Sequence, residues 1–212
     1  MDEALRVREF WFGKLTAAAG GSKSAQALNE RMEFWFGSDS TAQLEQQDAV
    51  IATQFGDLVE RAANGSLASW ADSPRRRLSL IILLDQFPRN IFRGKSRAFA
   101  YDEQALGLAL TGMQSAADGA LDCIERLFFY MPLQHSEEPE VQDESLAAYR
   151  RLLLEAPQEL RGTLQSALEF AESHRQIVRR FGRFPSRNRA LGRVSTPEER
   201  LYLEKEGSAF GQ

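Results

Sequence analysis

Residues Pro74 to Gly94, PRRRLSLIILLDQFPRNIFRG, constrain the fold more than any other stretch of the chain. Leu78, Leu80, Ile81, Ile82, Leu83 and Leu84 point around most of a helical circumference, the pattern of a helix covered on nearly every side. Such a helix needs neighbours all round it and belongs at the centre of the molecule. Ser73 and Pro74 supply a hydroxyl N-cap and a proline at the first helical position. Pro88 predicts the end, which gives a central buried helix over 74–87. Asp85 falls on the stripe of Leu78, Ile81 and Ile82, in the expected last turn, where the helix dipole disfavours a carboxylate. A cation has to compensate it, and Arg89 and Arg93 are the nearest.

The remaining segments carry helical periods and no strand-like alternation. They predict an all-α protein of antiparallel helical hairpins, about 8–10 helices, in a single domain over 1–212. Helices are expected over 2–12, 24–36, 41–63, 98–114, 120–131, 139–155, 157–181 and 197–205. Gly20-Gly21-Ser22 reads as a flexible turn, Arg89 to Lys95 as an arginine-rich loop, and Leu133 to Glu137, after Pro132, as a loop presenting His135. The pentapeptide EFWFG occurs twice, at Glu9–Gly13 and Glu33–Gly37. Aromatic clusters of this kind stack nucleobases in some proteins, but as core anchors with a helix-closing glycine they have a simpler explanation.

No run is long and apolar enough to span a bilayer, and the charged, aromatic N-terminus does not resemble a secretion signal, so a cytoplasmic protein without a membrane partner is expected. One cysteine, Cys123, excludes an internal disulfide and reads as a small core residue. The net charge of −4 is unevenly spread, with +6 over residues 75–97 and +7 over residues 173–193. Nearly all the basic residues are arginines, suited to bidentate recognition of carboxylate or phosphate. They answer the acidic helices as structural ion pairs, or some converge on an anionic ligand. His174 lies on the apolar stripe of Leu160, Leu164, Ala167, Ala171, Val178 and Phe181, as a hydrogen-bonded core histidine or a site residue.

Three separated motifs are specific: LSLIILLDQFPRNIFRG, ERLFFYMPLQHSE, and FGRFPSRNRALGR followed by STPEE. With the opening EFWFG they resemble, from about Val7 to Leu203, the bacterial family catalogued as domain of unknown function 924. The resemblance implies an all-helical, compact array similar to tetratricopeptide proteins, with no established activity. It also marks motif positions: Asp85, Gln86, Arg89, Asn90 and Arg93, then Glu125, Arg126, His135, Ser136 and Glu137, then Arg187, Asn188 and Arg193.

No phosphate-binding glycine loop, dinucleotide fingerprint, nucleophile elbow or metal motif is present, so neither cofactor nor metal is expected. His135 with Glu125, Glu137 and Asp85 could perform acid–base work if folding gathers them. The leading expectation is a small carboxylate or phosphate bound by Arg89, Asn90, Arg93, His135, His174, Arg187 and Asn188. An acidic peptide in a helical groove is the alternative, and nucleic acid ranks third because the chain as a whole is acidic. Convergence of Asp85, Arg89, His135, His174 and Arg187 into one enclosed pocket favours the small ligand, whereas an open groove lined by scattered arginines favours a protein partner.

Overall fold

The structure is a computed structural model that describes residues 2–15, 25–37 and 40–205; the Gly20-Gly21-Ser22 turn lies outside the described residues. Those residues form eleven α-helical segments and no strand: α1 (Glu3–Phe12), α2 (Ala25–Phe36), α3 (Thr41–Ala63), α4 (Pro74–Ile81), α5 (Phe87–Ile91), α6 (Asp102–Gln114), α7 (Cys123–Phe129), α8 (Met131–His135), α9 (Pro139–Glu155), α10 (Arg161–Phe181) and α11 (Pro197–Lys205). A π turn, Ile82–Gln86, joins α4 to α5 in one rod. Counting that rod once leaves ten helices, within the expected range.

The rod is the centre of the molecule. From Leu78 to Pro88 every residue is buried, with α1 and α6 packed on its first half and α3 on its second. Pro88 does not end it. The π turn shifts the hydrogen bonds so that the Phe87 N–H donates to Ile82 O, five residues back. Pro88 then falls near the start of a fresh α segment, where a missing N–H costs little. Asp85 is therefore in the middle of a rod, and its need for a cation comes from burial rather than from a helix end.

The two EFWFG segments pack on each other. Phe10 meets Phe34 at 5.7 Å between ring centroids, Trp11 meets Trp35 at 6.4 Å, and the Trp35 indole N–H donates to Trp11 O at 2.9 Å. Phe128 stands edge-on to Trp11, Phe12 and Trp35, so the repeat is a core device. Gly112 lets α6 approach closely, since a Cβ there would overlap Phe129 Cζ and lie 2.9 Å from Arg77 Cδ.

The second half is an antiparallel hairpin of α9 and α10, with Leu146, Tyr149 and Leu152 facing the main core along with Leu164, Leu168 and Ala171. A smaller apolar cluster, Ile177, Val178, Phe184 and Tyr202, anchors the C-terminal segment. Thr196 and Glu199 cap α11 reciprocally: the Glu199 N–H donates to Thr196 Oγ1 at 3.1 Å, and the Thr196 N–H to Glu199 Oε2 at 2.7 Å. Proline again begins rather than ends a helix at Pro132, which sits in the first turn of α8. His135 is consequently the last residue of a short helix, not part of a loop.

Candidate functional site

The π turn bulges the rod where its two polar residues lie, and such turns recur at functional sites because they re-aim side chains that an α ladder would keep in line. Asp85 is fully buried, and its Oδ1 lies 2.7 Å from His135 Nδ1 and 3.3 Å from Arg89 Nη1. The Gln86 amide donates to Oδ2 at 2.5 Å. Burial by itself would raise the Asp85 pKa, but Arg89 and then His135 outweigh it and hold the carboxyl below its ordinary range.

From Asp85 the polar chain continues outward. Arg89 grips Asp102, at the start of α6, with two 2.9 Å hydrogen bonds. Asp102 Oδ2 also accepts from Arg187 Nη1 at 3.4 Å. Arg187 is 7% exposed and is wedged between Phe99 and Phe184, whose ring centroids lie 4.9 and 4.6 Å from its guanidinium carbon. Burial, followed by the proximity of Arg89, lowers the Arg187 pKa to about 10. His174 stands edge-on to Phe184 at 5.3 Å. Burial, then the charges of His135, Arg187 and Arg89, push it down to about 3, so it is neutral at physiological pH. His135 is lowered as well, by burial and by Arg89, against the opposing pull of Asp85.

Asp85, Arg89, His135, His174 and Arg187 thus form one connected cluster, contributed by the central rod, α8, α10 and the segment after α10. The other expected residues are engaged elsewhere. Asn90 and Arg93 both grip Asp48 on α3, the amide at 2.9 Å and the guanidinium at 2.8 and 2.9 Å. Glu125 completes the capping box of α7 with Asp122 and pairs with Arg8 at 3.3 Å. Glu137 accepts from the Phe184 N–H at 2.8 Å and from Arg193 at 2.7 and 3.0 Å. Asn188 is buried between Arg193, Ser195 and Glu199. These contacts hold α3 to the rod and lock the C-terminal segment under α8.

Residues 7–207 match the family described as bacterial protein of unknown function (DUF924). The chain belongs to this family. A solved protein of unknown function from Agrobacterium tumefaciens is 33% identical, with a TM-score of 0.74, covering 95% of this chain and 97% of that chain. No curated protein matches.

In this DUF924 chain, Asp102 and Phe99 join the cluster without having been marked by any motif. Asp102 looks in sequence like a first-turn acid of α6, where it favours the helix dipole, and nothing local shows that two arginines share it. Only the position of an acid some thirteen residues after Arg89, across the turn that reverses the chain, hints at the pair. No described helix is long and apolar enough to cross a membrane, and no group of His, Cys, Asp and Glu among the described residues could hold a metal ion.

Proposed function

We propose that this DUF924 protein binds a small carboxylate or phosphate at the cluster of Asp85, Arg89, His135, His174 and Arg187. Arg187 is the observation that carries the reading. A guanidinium offers five N–H donors, and this one, almost wholly buried, makes among the described residues a single 3.4 Å hydrogen bond, to a carboxylate already held twice by Arg89. An under-matched buried cation stacked between two rings is a ready partner for an anion. Arg89 adds a buried Nε that has no hydrogen-bond partner among the described residues.

The tetratricopeptide-like reading, in which scattered arginines clasp an acidic peptide, has less support. Arg93 is matched by Asp48, Arg97 by Glu60, Arg175 and Arg179 by Asp143, Arg183 by Glu199, and Arg193 by Glu137. These arginines serve the chain's own carboxylates and are not free to meet an external one.

The test is calorimetric titration and thermal melting with phosphate, sulfate and small mono- and dicarboxylates, at constant ionic strength. A ligand at about a hundred times its Kd stabilises by roughly 2.7 kcal/mol. Arg187→Gln should abolish that gain, whereas Arg93→Ala, on the far side of the rod, should retain it. Equal gains in wild type and Arg187→Gln would refute the reading as a general salt effect.

A further inference from the structure

The anion reading above names only half of a ligand; His135 specifies the other half. Its Nδ1 faces Asp85, a carboxylate that is fully buried and paired with Arg89. An ionised carboxylate only accepts, so Nδ1 carries the ring proton. A second proton on the ring would place another buried cation beside Arg89, and burial and Arg89 both oppose it. The imidazole is then the neutral tautomer with a bare lone pair on Nε2. The ring makes its hydrogen bond through Nδ1, Nε2 has no hydrogen-bond partner among the described residues, and 14% of the side chain remains exposed. Nε2 can therefore accept a hydrogen bond from a bound molecule and cannot give one.

His174 does not change this requirement. It stands edge-on to Phe184, the ring that also faces the Arg187 guanidinium, and it is itself uncharged. The site consequently presents a donor-only group, Arg187, and an acceptor-only atom, Nε2 of His135, against an aromatic wall of Phe99 and Phe184.

We propose that the ligand is an anion that carries its own hydrogen-bond donor, a hydroxy-carboxylate or a hydrogenphosphate, whose O–H is given to Nε2 of His135 while its anionic oxygens meet Arg187. Asp85 is the positioning residue that fixes the tautomer. Carboxylates without a hydroxyl, and sulfate, lack the donor, leave Nε2 unmatched and are discriminated against, in the way that sites built around a polar group reject analogues lacking its complement.

Matched pairs test this on the full chain at pH 7.5 and constant ionic strength: phosphate against sulfate, lactate against propionate, malate against succinate. The expected result is that the O–H member of at least one pair binds about tenfold more tightly, with the phosphate and carboxylate pairs separating the two sources. His135→Ala should bring the preferred pair to within about twofold. Nitrogen-15 NMR of the two-histidine protein provides a check that does not require a variant: one Nε2 should resonate as an unprotonated nitrogen and shift when the preferred ligand is added. Equal affinity within every pair would overturn this inference while leaving the anion reading intact. Failure of all the anions would overturn both, and a preference that survives His135→Ala would remove His135 as the acceptor.

Discussion

Replacing Asp85 by alanine isolates the electrostatic centre of the molecule. The carboxylate is completely buried and serves three partners, His135 at 2.7 Å, Arg89 at 3.3 Å and Gln86 at 2.5 Å. Removing one member of a buried ion pair costs about 3–5 kcal/mol, because the remaining charge stays desolvated without its partner. Here Arg89 keeps Asp102, with two bonds of 2.9 Å, which pulls the figure down. The orphaned Gln86 amide and the Nδ1 proton of His135 push it up, by about 1–3 kcal/mol for each buried donor left unmatched. A net loss of about 3–5 kcal/mol follows, and in a chain of 212 residues each kcal/mol moves the Tm by roughly 2–4 °C. Differential scanning calorimetry should therefore find Asp85→Ala melting about 6–20 °C below wild type. Asp85→Asn keeps the shape and a carbonyl to accept from Nδ1, and should lose about half as much. An alanine variant within about 2 °C of wild type, or an asparagine variant worse than the alanine one, would refute the assignment of Asp85 as a paired buried charge.

Two further outcomes are expected. The chain has two histidines, both with pKa values lowered by folding, His174 to about 3. Between the unfolded value near 6.5 and those lower values the unfolded chain binds protons that the native chain refuses. Stability should thus be fully present above about pH 6.5 and be lost as the pH falls, with Asp85, Glu137 and the other depressed carboxylates adding their loss only below about pH 4.5. Urea midpoints measured from pH 7.5 to 5 should decline, and less steeply in His174→Phe; a maximum near pH 5, or an unchanged slope in the variant, would contradict this. Gly112→Ala should cost about 1–3 kcal/mol by forcing α6 away from Phe129 and Arg77, as read by denaturant unfolding, whereas Gly107→Ala, with open space around it, should not destabilise.

The sequence exposes the fold through its periodicities and the site only through its motifs. Leu78 to Leu84 mark the central rod because apolar residues on all faces have one interpretation, and that interpretation holds in every burial value from 78 to 84. Prolines mislead: Pro88 and Pro132 both sit in first turns rather than beyond last ones, since a π turn at 82–86 and a one-residue break at Tyr130 restart the helix just before each. Hydrogen-bond register of that kind leaves no compositional trace. For the candidate site, two similar segments, Phe87-Pro88-Arg89-Asn90 and Phe184-Pro185-Ser186-Arg187-Asn188, supply Arg89 and Arg187, which do share a carboxylate. The asparagines and Arg93 belong to structural contacts instead, with Asp48 and Glu199 as partners that lie 42 and 11 residues away in the chain. Residue type announces that an arginine will find an acid, but which acid is decided by tertiary packing.

The π turn also sets the phase of everything after it. One extra residue in a single turn rotates the following segment by about 100° relative to an uninterrupted α-helix. Arg89 faces Asp102 while Asn90 and Arg93 face Asp48 because of that rotation. A chain lacking Leu83 or Leu84 would keep every polar side chain of the cluster, yet Arg89 would turn away from α6 and the clasp on α3 would open. At this point of the molecule the count of residues is as much a determinant as their identity.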